Sequence, residues 1–362
     1  MTRAIVLLLV FPVALAFSAA CGSAEKASRE PATAAETTAS GTEAPSQGDV
    51  DVEPRVRATI QLAPRGQATS LLVAAGSVWV AAYEKDGSKV FRIDPATGEI
   101  VATIKLKAVP TWEVGGEGMA AGGGALWVTG GAEEEAVLQR IDPSTNEVVA
   151  TISLGGGAGA DVAVGETGVW VSAFGRGPEM RVVRLDPATS RVVATIPVEG
   201  DWIREIFALD GTVLVRSLVG EDSTLTGTVL TVIDSATNRT VASRRMDEPH
   251  GPFAAGDGVI WAGAGRKLLR VDPHTGRLRG DPLFVGKGVS FTSLLAGEGG
   301  IWFLGYEPDD ERVPATLDRL NVVTHEIDAS VDPPEAPVAM AMAEGSIWLL
   351  NYEGSLTRIE LR

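Results

Sequence analysis

Residues 92–106 read RIDPATGEIVATIKL, and residues 140–154 repeat them almost letter for letter as RIDPSTNEVVATISL. Further copies of this stretch follow along the chain, beginning at Arg184, Val232, Arg270 and Arg319. The aspartate can accept hydrogen bonds from backbone amides two residues on, and the proline presets the φ angle of the next turn position. Gly or Asn closes most copies (Gly98, Asn146, Asn238 and Gly276), which suits a left-handed backbone conformation. Each copy therefore predicts a tight turn that leads into a strand rich in β-branched residues.

A second pattern, close to Gly-x-aliphatic-Trp-aliphatic, precedes each turn. Its tryptophans are Trp79, Trp127, Trp170, Trp261, Trp302 and Trp348. Leu214 takes the corresponding place in the fourth repeat, so successive positions are 41–48 residues apart. That period is typical of a four-stranded propeller blade. We predict that the tryptophans are core residues, each filling the wedge between its blade and a neighbouring blade.

Each repeat accommodates four strands, A (innermost) to D (outermost), and in the first repeat we expect them at 69–74, 77–83, 89–93 and 99–106. Seven sets of strands A, B and C can be counted, and the chain ends after the last C strand, at 355–361. Residues 55–62, RVRATIQL, match strand D but follow no A, B or C strand. Pairing this orphan strand with the last blade would remove two exposed sheet edges. The sequence thus predicts an all-β, seven-bladed β-propeller over 55–362 whose last blade is closed by an N-terminal strand.

Composition limits the classes of function. The formal net charge of −16 repels phosphate backbones and argues against binding to nucleic acid. The single cysteine permits no intramolecular disulfide, so packing and sheet hydrogen bonds must hold the fold. With 45% apolar residues the chain can build a large core, and we expect a monomer.

The N-terminal segment has the layout of a secretory signal over residues 1–20, with Arg3 followed by an uncharged, mostly apolar run. Residues 18–21, Ser-Ala-Ala-Cys, resemble a bacterial lipobox, which implies acylation of Cys21 and anchoring to the outer side of the cytoplasmic membrane. The alternatives are ordinary cleavage that leaves a free thiol, or a retained membrane helix. Residues 21–54 contain few large apolar side chains and predict a disordered linker.

Two resemblances to known propellers follow from these motifs. The copy VIDSATN, starting at Val232, resembles the YVTN-type repeats of bacterial surface-associated propellers, and the likeness extends over about 55–362. The run HGPF at 250–253, leading to Trp261, is similar to a blade start of streptogramin (virginiamycin B) lyases. Those lyases are seven-bladed propellers in which paired histidines and glutamates act with Mg²⁺. Here one blade carries the phrase, and His274 and His325 fall in or beside C–D turns.

In this topology the A–B and C–D turns share one face, here called the turn face, while the D–A and B–C loops share the opposite, loop face. The loops vary in length, and variable loops on a rigid scaffold are where binding usually resides. The B–C loops are also acidic, so they either hold Ca²⁺ or a cationic partner or form a solvated rim. The acidic positions are Glu84, Asp86, 133–135, Glu179, 221–222, 309–311 and Glu353.

The start of each A strand should line the mouth of the central channel on the loop face. Residues near this register supply candidate catalytic groups at Glu117, Asp161, Glu205 and His250. Ligand-binding candidates are Arg204 and two tryptophans outside the repeat register, Trp112 and Trp202, in D–A connections. The tryptophans either contact a partner or plug the channel.

Two hypotheses follow from these features. The first is a membrane-anchored binding scaffold that recognises a protein or glycan ligand through the loop face. The second is a metal-dependent lyase or hydrolase that uses Ca²⁺ or Mg²⁺ at the channel mouth.

Overall fold

The structure is a computed structural model that describes only part of the 362 residues. The described ranges are 54–62, 67–84, 87–107, 109–110, 118–132, 135–155, 161–174, 180–221, 224–246, 251–286, 290–297, 299–306, 316–335, 337–343, 345–351 and 354–361. The predicted signal peptide (1–20), Cys21 and nearly all of the linker (21–54) lie outside them. Within these ranges every regular element is a strand, and none contains a helix able to cross a bilayer.

The strands of the first half are β1 (Arg55–Gln61), β2 (Gln67–Ala74), β3 (Ser77–Glu84), β4 (Gly87–Ile93), β5 (Ile100–Lys105), β6 (Val109–Pro110), β7 (Met119–Gly122), β8 (Ala125–Ala132), β9 (Glu135–Asp142), β10 (Glu147–Ser153), β11 (Val162–Gly165), β12 (Gly168–Phe174), β13 (Met180–Asp186) and β14 (Arg191–Val198). Those of the second half are β15 (Trp202–Leu209), β16 (Thr212–Glu221), β17 (Thr224–Asp234), β18 (Arg239–Met246), β19 (Phe253–Gly256), β20 (Val259–Ala264), β21 (Lys267–Val271), β22 (Leu278–Phe284), β23 (Ser290–Gly297), β24 (Gly300–Tyr306), β25 (Thr316–Asn321), β26 (Ile327–Val331), β27 (Pro337–Ala343), β28 (Ser346–Asn351) and β29 (Ser355–Glu360).

These strands form seven antiparallel sheets, the blades of a β-propeller, which confirms the predicted fold. Blade 1 is β2–β5, blade 2 is β6–β10, blade 3 is β11–β14 and blade 4 is β15–β18. Blade 5 is β19–β22, blade 6 is β23–β26, and blade 7 runs in the order β27-β28-β29-β1. In blade 2, β6 and β7 both pair with β8, so the A strand is made of two pieces.

The N-terminal strand closes the ring as the sequence predicted. β1 pairs antiparallel with β29 from Arg55 opposite Glu360 to Gln61 opposite Ser355. The Leu62 N–H then donates to the Gly354 carbonyl at 3.0 Å. Most of β1 is exposed, whereas the Leu62 side chain lies in the core between blades 7 and 1. The strand is therefore held by its backbone ladder and by apolar contacts at its C-terminal end.

The repeated tryptophans occupy the core, as predicted, and all six are buried. Trp79 of blade 1 packs with Leu126 of blade 2, and Trp170 of blade 3 packs with Val213 of blade 4. Each indole thus fills the space between its own blade and the next one. The flanking B strand is covered on both faces, which explains its unbroken apolar sequence.

The side chain of the repeated aspartate holds the C–D turn by binding the backbone of that turn. The Asp94 carboxylate accepts N–H groups two and three residues on, at 2.8 and 3.0 Å. The residue that ends the turn has a positive φ of 75° at Gly98 and 60° at Asn146, as predicted. Ser190 and His325 adopt the same left-handed conformation although neither is Gly or Asn. The turn geometry is therefore fixed by the oxygen of the opening residue, Asp186 or Asn321 in these two turns, as much as by the closing residue.

In blades 1, 2, 3 and 7, an arginine of strand C joins the blade to the next one. Arg92 lies 5.0 Å from the centre of the Trp79 ring and donates to the Pro143 carbonyl at 2.8 Å and to Asn146 Oδ1 at 3.0 Å. We call this contact, from an arginine stacked on its tryptophan to the next C–D turn, the arginine latch. It recurs from blade 2 to 3, from blade 3 to 4 and from blade 7 to 1.

Candidate functional site

The A strands of all seven blades enclose a central cavity of about 370 Å³. Small side chains such as Ala120, Ala163 and Ala208 form much of its wall. Polar side chains concentrate at the loop-face end, in blades 4 and 6, where they are Arg204, Glu205, Thr292 and Ser293. The polar groups of the cavity wall therefore come from two blades.

Asp161 and Glu205 occupy equivalent positions in blades 3 and 4, nine residues before Trp170 and Leu214. The Asp161 side chain is fully buried. One of its oxygens accepts the N–H of Val162 at 2.7 Å, and the other accepts the N–H of Ile206 in blade 4 at 2.5 Å. Asp161 therefore joins the A strands of two blades, and both carboxylate oxygens bind backbone.

Glu205 is paired within its own blade. It lies opposite Arg216 across strands A and B, and the Arg216 Nε donates to its carboxylate at 2.5 Å. The arginine also donates to the Gly251 carbonyl at 3.0 Å and lies 4.8 Å from the centre of the Phe253 ring, both in blade 5. Both partners are mostly buried, so each charge depends on the other for compensation. The pair ties blade 4 to blade 5.

Arg204 is the extra residue of a β-bulge. The register jumps from Ile203 to Glu205 against strand B, and the A strands of blades 1, 6 and 7 have the same irregularity at the channel mouth. A bulge changes the direction of a side chain, and bulges are over-represented next to binding sites. This bulge places Arg204 in the wall of the cavity.

Trp202 is the first residue of β15 and lies opposite Leu218, so it belongs to strand A. The prediction that it lies in a D–A connection is therefore wrong. The reason is that β16 and β17 extend to Glu221 and Thr224, which gives strand A more partner to pair with. Gly200 permits this close approach, because a Cβ there would lie 2.4 Å from Ser217 Cβ. The indole is 38% exposed.

The remaining candidates lie outside the described residues. These are Glu117, Trp112 and His250, together with most of the acidic loop positions, while of Glu84, Glu135 and Glu221 only the backbone is described. Over the ranges that are described, His, Cys, Asp and Glu side chains form no group of three suited to a metal ion. His274 lies in the C–D turn of blade 5, on the turn face, where its Nδ1 is 3.2 Å from Thr212 Oγ1.

Sequence reasoning missed Arg216, the partner of Glu205. Its signal was present, because Arg216 is a lone charge inside the apolar run GTVLVRS. A charge in a strand that is buried on both faces requires a partner.

Comparisons with known proteins establish the fold and nothing finer. No family model and no curated protein matches the sequence. Among solved structures, the chain is similar to the Neurospora crassa Pan2 WD40 domain, with a TM-score of 0.62 and 8% sequence identity. The likeness covers 87% of this chain and 97% of that domain.

Proposed function

We propose that this chain is an exported, membrane-anchored β-propeller that binds a protein or glycan ligand through its loop face. Propellers perform many functions, and protein-interaction scaffolds are common among them. The two faces differ in a way that favours the loop face. On the turn face the repeated aspartates are bound to their own turns, whereas the loop face presents an exposed tryptophan beside an unusually long hairpin.

The observation that carries this proposal is how two buried carboxylates are bonded: Asp161, directly before the A strand of blade 3, and Glu205, in the cavity wall of blade 4. Asp161 accepts two backbone N–H groups, and Glu205 pairs with Arg216. A general acid or base must exchange a proton with a substrate, so either group would first have to give up a partner that stabilises the fold. Binding requires no such exchange.

The lyase alternative rests on the resemblance around His250 and requires a metal ion. Thermal unfolding of the full chain with Ca²⁺, with Mg²⁺ and with a chelator separates the two functions. A resident metal at a thousandfold excess over its Kd stabilises the folded state by about 4 kcal/mol. We expect the melting temperature to be the same in all three conditions. A metal-dependent rise that chelator reverses would favour the enzyme.

The proposed membrane anchor is tested by fractionating cells that express the chain or its Cys21→Ser variant. Acylation of Cys21 predicts a membrane-bound protein that becomes soluble when the thiol is replaced. Equal distribution of the two forms would contradict a lipid anchor at this residue. A second comparison with Ser23→Ala, which leaves the cysteine intact, controls for effects on export.

A further inference from the structure

Blade 4 rises above its neighbour on the loop face. Its B–C ladder continues for seven residues beyond Leu214, to Glu221, whereas in blade 5 it stops three residues beyond Trp261, at Ala264. At about 3.3 Å per residue, the difference of four residues is a height of about 13 Å. Blade 5 is thus the low side of a step.

One side of the raised hairpin is apolar and turns toward the low side. Phe207 and Leu214 on that side of blade 4 pack against Phe253 and Ile260 of blade 5. Side chains alternate along a strand, so Leu218 shares the face of Leu214. Directly opposed residues also share a face. Above the edge of blade 5 this face carries Trp202 opposite Leu218, and Leu225 opposite Gly220.

Two residues of this wall are unusually exposed for their types. Trp202 is 38% exposed and Leu225 is 40% exposed, while Leu218 between them is nearly buried. Met246, at the end of strand D, lies in the same row through its pairing with Thr228. An exposed apolar patch with a tryptophan at one end has the composition of an interface hot spot.

The floor of the step is basic. Arg266 and Lys267 form the short B–C turn of blade 5 and are both exposed. The Lys267 ammonium lies 5.5 Å from the centre of the exposed Phe284 ring. Asp201, the acidic residue beside Trp202, accepts the N–H of Gly220 at 2.9 Å. At physiological ionic strength charges beyond about 8 Å are largely screened, so this basic pair acts locally even on a chain of net charge −16.

We infer that the step, with its wall of Trp202, Leu218, Leu225 and Met246 and its floor of Arg266 and Lys267, binds a short acidic peptide segment of a partner protein. A large apolar side chain of the partner packs on the wall, and neighbouring carboxylates pair with the floor. This inference rests on the proposed function and identifies, within the loop face, the site and the partner's chemistry.

The test is selection from a random 12-residue phage-displayed peptide library on the immobilised full chain. We expect enriched sequences that place a large apolar residue beside Asp or Glu. A synthetic peptide of the consensus is then titrated against variants whose unchanged melting confirms folding. Leu225→Asp and the double variant Arg266→Glu with Lys267→Glu should each weaken binding at least tenfold, which corresponds to about 1.4 kcal/mol.

The matched controls carry the same chemical changes away from the step. Val241→Asp replaces an exposed aliphatic residue on strand D of blade 4, and Arg239→Glu with Arg277→Glu reverses two exposed charges beside C–D turns. We expect peptide affinity within twofold of the parent chain in both. A basic consensus, or binding that the step variants leave unchanged, would refute the step.

The outcomes also separate this inference from the proposed function. If the peptides lose affinity for Thr292→Arg, at the channel mouth, but not for the step variants, the inferred binding site at the step is refuted. Binding on the loop face would still be supported. Peptides that respond only to the turn-face charge reversal, or a library that yields no binder, would count against both.

Discussion

Closure of the ring depends on one buried side chain near the N-terminus of the propeller, and Leu62→Ala tests this dependence. Leu62 is 6% exposed and belongs to the cluster that joins blades 7 and 1. Truncating a buried leucine to alanine removes its transfer free energy and leaves a cavity, at a combined cost of about 3 kcal/mol. Val56 lies in the same strand but is 43% exposed, so Val56→Ala should change stability by less than about 0.5 kcal/mol.

The expected change in melting temperature follows from the size of the domain. An unfolding entropy of about 2.1 cal/mol/K per residue over about 300 residues amounts to about 0.6 kcal/mol/K. A loss of about 3 kcal/mol therefore lowers the melting temperature by about 5 °C, while the control should move it by less than about 1 °C. Differential scanning calorimetry of the full chain measures both variants.

Two results would refute this reasoning. Equal shifts for Leu62→Ala and Val56→Ala would mean that burial at the C-terminal end of β1 does not hold the strand. The larger change, deletion of residues 55–62, also removes the backbone ladder to β29 and should lower the melting temperature further. An unchanged melt after that deletion would contradict closure by the N-terminal strand altogether.

Three further predictions concern single contacts. Arg92→Met should lower the free energy of unfolding, measured in urea, by about 2 kcal/mol, because it removes the charged hydrogen bonds of one arginine latch. A loss under about 0.5 kcal/mol would mean that the latch does not stabilise the fold. Glu205→Ala should lower the free energy of unfolding by about 3 kcal/mol in the same assay, since the buried charge of Arg216 loses its carboxylate partner. A neutral result would return Glu205 to the catalytic candidates. The pKa of Asp234 lies below its ordinary 3.8 because the hydroxyl and N–H of a neighbouring threonine donate to the carboxylate. The contribution of Asp234 to stability is complete above its ordinary pKa and is lost as the pH falls through the lowered pKa of the folded state. Asp234→Asn should therefore flatten the decline of the melting temperature below pH 4. Asn321 holds the corresponding turn of blade 6 through its amide oxygen, so the blade 4 turn should persist in Asp234→Asn. The same decline of melting temperature with falling pH in the variant and the parent would contradict this role of the Asp234 carboxylate.

The fold was predictable because its determinants are local and repeated. Each C–D turn needs an Asp or Asn side-chain oxygen to bind its backbone, and each B strand needs apolar residues on both faces, so the pattern recurs with the period of a blade. The first A strand was predicted at 69–74 and is observed at Gln67–Ala74. The orphan strand at 55–62 could be assigned to blade 7 because it carried the strand D motif without the other three strands.

The candidate site was predictable in position but not in chemistry. Counting back from the tryptophans brought Asp161 and Glu205 to the channel mouth. Glu205 lines the central cavity, whereas Asp161 is fully buried and is not among the residues that line it. Their partners are a backbone N–H of the next blade and an arginine across the sheet. The first depends on how two blades pack, and no spacing within one repeat encodes that contact. The extended A strand at Trp202 likewise depends on the length of the neighbouring hairpin.

Blade 4 is where the repeat fails most, and the failures have a common physical consequence. Leu214 and Val232 replace the tryptophan and the arginine together, so this blade cannot form the latch. Arg244 instead donates to the Thr275 carbonyl at 2.6 Å, and Arg216 reaches the Gly251 carbonyl near the loop face. The junction of blades 4 and 5 is therefore fixed at both ends, including the end where the step lies. Because the wall is held against its floor in this way, little conformational entropy is lost when a partner binds. A small loss of this kind is a condition for affinity from a small surface.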